Sequence, residues 1–216
     1  KKMDLDKLKE SWKNQPEDLN KVSKDDIHRM AHSKSSSIVK WIFIIGIAEF
    51  AFWVILNFIA SRFNLMEAYE KLNLIDFLNT VYYINLVVVV GFLYYFYKNY
   101  TSISTVDSTK NLMSKIIKTR KTVKYYVNYN VIGAALIMIV FNIVIVNTPN
   151  GIETMLSLDG IELEESKLLS VYLISQAIAV AIMILFLFLF YYLLYGIMLK
   201  KLKRNHKELE KLEHLN

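Results

Sequence analysis

The chain has 216 residues, of which 54% are hydrophobic and 21% are charged, with 6 glycines, 2 prolines and no cysteine. Its mean hydropathy is +0.29. A chain with this many charged residues reaches such a value only when apolar and charged residues lie in separate segments of the sequence. Unbroken runs of about 20 apolar residues are rare in soluble domains, so the composition predicts an all-α polytopic membrane protein. The lack of cysteine excludes disulfides, thiolate metal sites and cysteine nucleophiles.

Residues 1–37 are polar and are predicted to form two short amphipathic helices. Leu5, Leu8 and Trp12 share one face of the first helix, and Ile27 and Met30 share one face of the second. Such small faces cannot fold alone. They pack on the rest of the chain, on the membrane surface or on a protein partner, and helix-in-groove binding uses anchors at this spacing. These five are the candidate partner-binding residues.

Four segments are long and apolar enough to cross a hydrocarbon core about 30 Å thick. They are residues 38–60, 75–97, 125–147 and 168–199. The last segment is longer than an upright crossing needs, so it would tilt or project beyond the bilayer. The runs do not alternate as the strands of a β-barrel would. Because the first forty residues lack an apolar core, no cleavable signal peptide is expected.

Charge distribution predicts the orientation. Of the 26 Lys and Arg residues, 23 lie in residues 1–40, 98–124 and 198–216. Positive charge collects on the cytoplasmic side, so both termini are predicted to be cytoplasmic. The loops 61–74 and 148–167 are then external, and the second is acidic. The net charge of +6 is an orientation signal, and no nucleic-acid partner is expected.

The two remaining cytoplasmic segments are also predicted to be helical. In the basic loop 98–124, Asp107 or Ser108 would cap a helix whose apolar stripe is Leu112, Met113, Ile116, Ile117 and Val123. The tail 200–216 continues the fourth span, with a stripe at Leu202, Asn205, Leu209 and Leu212. Two heptads are too few for a coiled coil, so these segments and the N-terminal helices are expected to form a small helical cap. The basic residues would also attract anionic membrane lipids.

Tyrosines cluster where the spans meet the positively charged side. Amphipathic rings favour the headgroup level, so these residues are interpreted as interfacial anchors and packing rather than a ligand site. The group comprises Tyr94, Tyr95, Tyr97, Tyr125, Tyr126, Tyr129, Tyr191, Tyr192 and Tyr195.

Glu49 is the most informative single residue, because it lies in the middle of the first span, where a charged side chain is costly. No Lys, Arg or His in the spans lies at its depth. The candidate hydrogen-bond partners are Asn57, Asn85, Asn142 and Ser175 or Gln176. A structural hydrogen bond between helices is the favoured interpretation, and proton or ion handling is the alternative.

The sequence gives little support for a metal-binding site or a catalytic site. His28 and His32 have i, i+4 spacing and Asp25 precedes them by one turn, which can present three ligands to a metal. A solvated helix face is the favoured interpretation, since no other His lies nearby. The chain has no P-loop, GxGxxG, nucleophile elbow or HExxH motif, so no catalytic residue, metal or cofactor is predicted.

The opening MDLDKLKESWKN and the stretch HSKSSSIVKWIFII, His32 to Ile45, carry a family resemblance. The chain resembles small four-helix inner-membrane proteins of flavobacteria over most of its length. Some of these accompany extracytoplasmic-function sigma factors, so the resemblance implies an anti-sigma-like signalling role. The N-terminal segment lacks the Cys and His residues of zinc-binding anti-sigma proteins.

Two functions follow as hypotheses. The first is a non-enzymatic regulatory or scaffolding subunit that binds a protein partner or membrane complex through its cytoplasmic helices. The alternative is a small channel or transporter subunit with Glu49 in a proton or ion path. The sequence leaves open whether the chain forms a homo-oligomer.

Overall fold

The computed structural model describes residues 24–63, 66–104, 108–156 and 164–214, and all regular structure among them is helical. Four long helical rods run alongside one another, and two short helices join them at one end. The elements are α1 Lys24–Arg62, α2 Glu67–Lys71, α3 Ile75–Ser104, α4 Thr109–Asn147, α5 Gly151–Leu156, α6 Glu165–Tyr191, a π-helical turn Tyr192–Gly196 and α7 Ile197–His214.

Four helices are long and apolar enough to cross a membrane, namely Asp26–Arg62, Ile75–Ser104, Thr109–Asn147 and Ser166–Lys211. The all-α class and the four apolar helices are therefore confirmed. Each rod also continues past the predicted apolar segment into charged sequence. We call the charged sections the charged end, residues 26–40, 98–104, 108–124 and 200–211, and the remainder of the rods the apolar half.

The predicted basic loop is not a separate element. Residues up to Ser104 complete α3 and residues from Thr109 begin α4. Ser108 caps α4 as predicted, and its hydroxyl accepts a hydrogen bond from the Asn111 amide at 3.3 Å. Asp107 lies outside the described residues.

The charged end has a packed core. Here α1 packs on α3 and α7, and α4 packs on α3 and α7, so the four rods close into a ring. The fully or almost fully buried residues include Ala31, Val39, Ile103, Leu112, Ile116, Val123, Leu202 and Leu209. The predicted packing of the tail against the other charged segments is confirmed, with Leu212 lying outside the residues whose side chains are described.

Two polar side chains lie inside this core and satisfy each other. Asn205 Nδ2 donates to Ser35 Oγ at 3.1 Å, and both residues are buried.

The prediction for one residue of the apolar stripe of α4 is wrong, because the Ile117 side chain is 43% exposed. Successive helical residues differ by about 100°, so Ile117 points away while its neighbour Ile116 is buried.

The buried positions of α1 repeat every seven residues. Ser35, Ile42 and Glu49 form one series, and Val39 and Gly46 form the other. A 3–4 alternation of this kind is typical of helix bundles with small crossing angles. Gly46 allows the closest approach, because a Cβ there would lie 2.9 Å from Leu93 Cδ2.

A small second core closes the far end of the apolar half. Leu72, Leu74, Ile145 and Tyr172 are buried together, with residues of α2 and α5 packed against them. The predicted loops 61–74 and 148–167 thus each contain one short helix. Asn73 and Asn150 have φ of 55° and 54°, a left-handed conformation that Asn tolerates better than most residues.

Candidate functional site

A buried carboxylate lies at the junction of the apolar half and the charged end. Glu49 of α1 is 4% exposed. The Tyr191 hydroxyl donates to its Oε1 at 2.8 Å, and the Tyr195 hydroxyl donates to its Oε2 at 2.8 Å. Both carboxylate oxygens therefore have a donor. The two tyrosines follow Glu49 by 142 and 146 residues in the sequence, so the site joins the first and last rods.

Local helix geometry brings the two tyrosines to the same carboxylate. Tyr191 ends α6 and Tyr195 lies in the π-helical turn, and their rings are 6.2 Å apart and nearly parallel at 22°. π-Helical turns insert one extra residue and often occur at functional sites. Here the wider turn keeps both phenol groups on the face that meets α1.

Further aromatic rings enclose the carboxylate. The Tyr126 ring of α4 contacts Tyr191 and Tyr195 edge-on, at centroid distances of 6.1 and 5.8 Å. The Tyr126 hydroxyl and the Trp53 indole also lie beside the carboxylate. Phe96 of α3 packs edge-on against Tyr126 at 5.4 Å. Three rods therefore contribute to the group that we call the Glu49 cluster, and α3 packs against it through Phe96. The Glu49 cluster consists of Glu49, Trp53, Tyr126, Tyr191 and Tyr195.

Next to the Glu49 cluster, the apolar half contains a half-open cleft of about 650 Å³. Residues of α1, α3, α4 and α6 line it, and Trp53, Tyr126 and Tyr191 of the Glu49 cluster form part of its wall. The cleft exists because α1 packs closely on α7, whereas among the described residues no comparably close packing joins α1 to α6. The first and last rods are thus held together towards the charged end and less closely packed on each other beside the cleft, where α4 still packs on α6.

The polar groups of the cleft are neutral. Asn57, Asn85, Asn130 and Tyr129 are among its lining residues, and none of the lining residues is charged. Asn130 Nδ2 donates to the Tyr126 carbonyl at 2.9 Å. Asn85 Oδ1 is buried, and no described residue donates a hydrogen bond to it. A buried acceptor without a donor is unusual in a folded protein.

The amides that the sequence suggested as partners of Glu49 lie elsewhere. Asn57 and Asn85 line the cleft, and Asn142 accepts from the Tyr172 hydroxyl at 2.7 Å. Ser175 donates to the Tyr172 carbonyl, and Gln176 is half-buried on α6. The carboxylate is paired with tyrosines instead, because the phenol groups of the last rod reach it at its own depth.

The sequence interpretation of the tyrosines is interfacial anchors and packing, and Tyr126, Tyr191 and Tyr195 belong to the packing, because they are buried around Glu49. A role as interfacial anchors stays a prediction for the outward-facing rings of Tyr94, Tyr95, Tyr97, Tyr125 and Tyr192. No local signal in the sequence separates the two groups. Only the helix order and the π-helical turn decide which rings point inward.

The structure describes only some of the partner-binding candidates. Leu5, Leu8 and Trp12 lie outside the described residues, whereas Ile27 and Met30 lie near the start of α1. Ile27 is half-buried and Met30 is 50% exposed, because α1 turns Ala31 rather than Met30 into the core.

The His28 and His32 rings are 6.3 Å apart, and His32 Nε2 lies 2.8 Å from the Ile103 carbonyl oxygen. The Asp25 side chain is not among those described. In the described part of the chain no three His, Cys, Asp or Glu residues are grouped to hold a metal ion.

Comparison with known proteins identifies the family. No curated protein and no solved structure matches the chain. The model of one family, described as a domain of unknown function (DUF8845), matches residues 25–214, which include all four long rods and the Glu49 cluster. The chain therefore belongs to the DUF8845 family.

Proposed function

We propose that the protein is a multi-pass protein of a bacterial inner membrane with both termini in the cytoplasm. The four apolar helices support the membrane location, and the 23 positive residues on one side support the orientation. Because the chain has no cysteine, single introduced cysteines report the topology. In spheroplasts, an impermeant maleimide should label Ser61→Cys at once and Ser104→Cys only after permeabilisation. The reverse order would overturn the orientation.

Within that membrane, we propose a non-enzymatic regulatory or scaffolding role in which the charged end binds a protein partner. The carrying observation is that the rods continue beyond the apolar half as a packed bundle, whose buried core is continuous with the core around Glu49. That core uses the inner faces of the rods, so the charged outer faces and Met30 stay accessible. An anti-sigma-like role is the form of this function that the flavobacterial resemblance implies.

The N-terminal segment is the proposed partner-binding element. Residues 1–23 precede α1, and Met30 extends the same apolar series onto the exposed face of α1. Amphipathic segments with i, i+3, i+7 anchors bind in grooves of partner proteins. The Leu5, Leu8 and Trp12 side chains are therefore proposed to enter such a groove.

The test is gentle extraction of a chromosomally tagged protein from its own membranes, followed by quantitative mass spectrometry. The combined variant Leu5→Ala, Leu8→Ala and Trp12→Ala should lower the stoichiometry of a co-purifying partner by about ten-fold or more, as expected for loss of several interface anchors. Ile132→Ala, which removes an exposed apolar side chain of the apolar half, is the control. Unchanged partner recovery, or purification as a homo-oligomer alone, would contradict the proposal.

A small channel or transporter subunit is the second candidate, and the position of Glu49 beside the cleft favours it. The core between Glu49 and the charged end is tightly packed, with Ile42, Val39 and Phe96 almost fully buried. Transport would therefore require the rods to move. In proteoliposomes, a proton or ion flux that Glu49→Gln abolishes would support this candidate, and a chain that passes nothing would exclude it.

A further inference from the structure

The cleft in the apolar half combines an apolar wall with one unused hydrogen-bond acceptor. Its volume of about 650 Å³ lies within the roughly 300–1,000 Å³ that is typical of small-molecule sites. The Asn85 side chain lines this space, and its buried Oδ1 receives no hydrogen bond from any described residue. In an apolar environment an unpaired polar group is costly. Oδ1 is shielded from the cleft in the amide orientation shown, and a half-turn of the Asn85 amide, which exchanges Oδ1 and Nδ2, would present this acceptor to a donor in the cleft.

The lining determines which kind of molecule fits. It contains no charged residue, so it offers no counter-ion for a phosphate or an ammonium head group, and burying an unpaired ion is very costly. The other polar groups of the lining are also uncharged and suit a neutral head group; they include the amides of Asn57 and Asn130 and the phenols of Tyr82 and Tyr129. The rest of the wall suits a hydrocarbon body.

The occupant reaches the cleft from the bilayer. Four apolar helices surround it, and the cleft is half-open rather than enclosed. Molecules that dissolve in the hydrocarbon core therefore have the direct route, and a water-soluble metabolite does not.

We propose that the cleft binds a neutral membrane lipid whose hydroxyl head group donates a hydrogen bond to Asn85 Oδ1 while its chain lies along the apolar wall. Diacylglycerols and polyisoprenoid alcohols share this chemistry. The inference rests on the proposed membrane location and does not depend on the protein partner.

Two glycines provide a matched pair of variants. A Cβ at Gly133 or at Gly91 would meet nothing within 4 Å, so a larger side chain is tolerated at either position. Gly133 lines the cleft and Gly91 does not. Gly133→Phe should therefore fill the cleft, whereas Gly91→Phe adds the same ring to a central apolar helix and leaves the cleft open.

The test uses the full chain in nanodiscs with three diazirine-labelled lipids that differ only in the head group. They are a diacylglycerol, the same molecule with its hydroxyl acetylated, and the corresponding phosphatidic acid. After photolysis, mass spectrometry measures labelling of the cleft-lining segments 82–89 and 126–138. A parallel series with a diazirine polyisoprenoid alcohol and its acetate distinguishes the two sources of the hydroxyl.

The free alcohols should label the two segments about five-fold more than their acetates, the ratio expected from one neutral hydrogen bond. Asn85→Leu should lower the alcohol's labelling to that of the acetate. Gly133→Phe should reduce it by about ten-fold, as steric exclusion from a filled site does, and Gly91→Phe should leave it unchanged.

Equal labelling by alcohol, acetate and phosphatidic acid would overturn the proposal, because it would show contact with bulk lipid only. Equal labelling of Gly133→Phe and Gly91→Phe would overturn it as well. Incorporation into nanodiscs is scored separately by size-exclusion chromatography. A chain that does not enter the bilayer would refute the membrane location and the lipid site together, whereas a chain that enters but shows no head-group preference would refute the lipid site alone.

Discussion

The hydrogen bonds of Glu49 should contribute measurably to stability, and Tyr195→Phe is the sharpest perturbation. The substitution removes only the hydroxyl, so the ring contacts with Tyr126 and Tyr191 remain. Glu49 Oε2 then stays buried without the donor that lay 2.8 Å away. An unpaired buried acceptor is less favourable than a complete absence of polar groups.

The magnitude follows from burial and geometry. Leaving a buried acceptor unpaired costs about 1–3 kcal/mol, and interhelical hydrogen bonds in membranes contribute about 0.6 kcal/mol on average and up to about 1.7. Because Glu49 is 4% exposed and both bonds are short, the upper part of the membrane range applies. We expect Tyr195→Phe to lower the free energy of unfolding by about 1–2 kcal/mol.

A double-mutant cycle separates the hydrogen bond from other effects. In a Glu49→Met background the carboxylate is replaced by an apolar side chain of similar length. In that background the buried Tyr195 hydroxyl has already lost its acceptor, so Tyr195→Phe should leave stability unchanged or raise it. Tyr191→Phe should follow the same pattern through Oε1.

The assay is equilibrium unfolding of the purified chain in bicelles by added SDS, followed by far-UV circular dichroism. Tyr94→Phe is the control, because that ring is 60% exposed and its hydroxyl should contribute little. A coupling energy below about 0.5 kcal/mol for both tyrosines would refute the reasoning, since contacting buried groups usually couple more strongly. So would a cost for Tyr94→Phe equal to that of Tyr195→Phe.

Three further substitutions test the packing with the same unfolding assay. Gly46→Val should cost about 1–3 kcal/mol by overpacking the tightest contact between α1 and α3, and Gly91→Val, where a Cβ has open space, should cost clearly less; equal costs would contradict the packing argument. Ser35→Ala should cost about 1–3 kcal/mol by leaving the buried amide of Asn205 unpaired, and adding Asn205→Leu should recover part of that loss; a double variant worse than the single one would count against the pair. Ser108→Ala should cost about 0.5–2 kcal/mol by removing the cap of α4, with faster hydrogen exchange confined to the first turn, and unchanged exchange there would show that the cap contributes nothing.

The sequence was sufficient for most features that depend on local periodicity, with Ile117 as an exception. The four apolar runs, the cap at Ser108 and the inward stripe of Leu202, Asn205 and Leu209 follow from hydrophobic spacing and turn chemistry within about ten residues. Such patterns report which face of a helix is buried. They do not report which other helix covers it.

The composition of the site needed long-range information. Glu49 pairs with residues more than 140 positions away, and amides were the expected partners because tyrosines near helix ends usually face the interface. The sequence also left open what the Ile27 and Met30 face of α1 packs against. Ala31 rather than Met30 lies in the core, since close approach of helices favours small residues.

The π-helical turn changes the helical register of the last rod. Buried residues follow one another at intervals of four and four from Leu187 through Tyr191 to Tyr195, whereas a regular seven-residue repeat would alternate four and three. The turn accommodates this one extra residue. Without it, every position beyond Gly196 would rotate by about 100°, and Asn205 would leave Ser35. The last rod therefore consists of two helical segments that differ in rotational register and meet at the depth of Glu49, and each segment is matched to its own neighbours. Deletion or insertion of one residue in the π-helical turn would rotate one of these segments relative to the other.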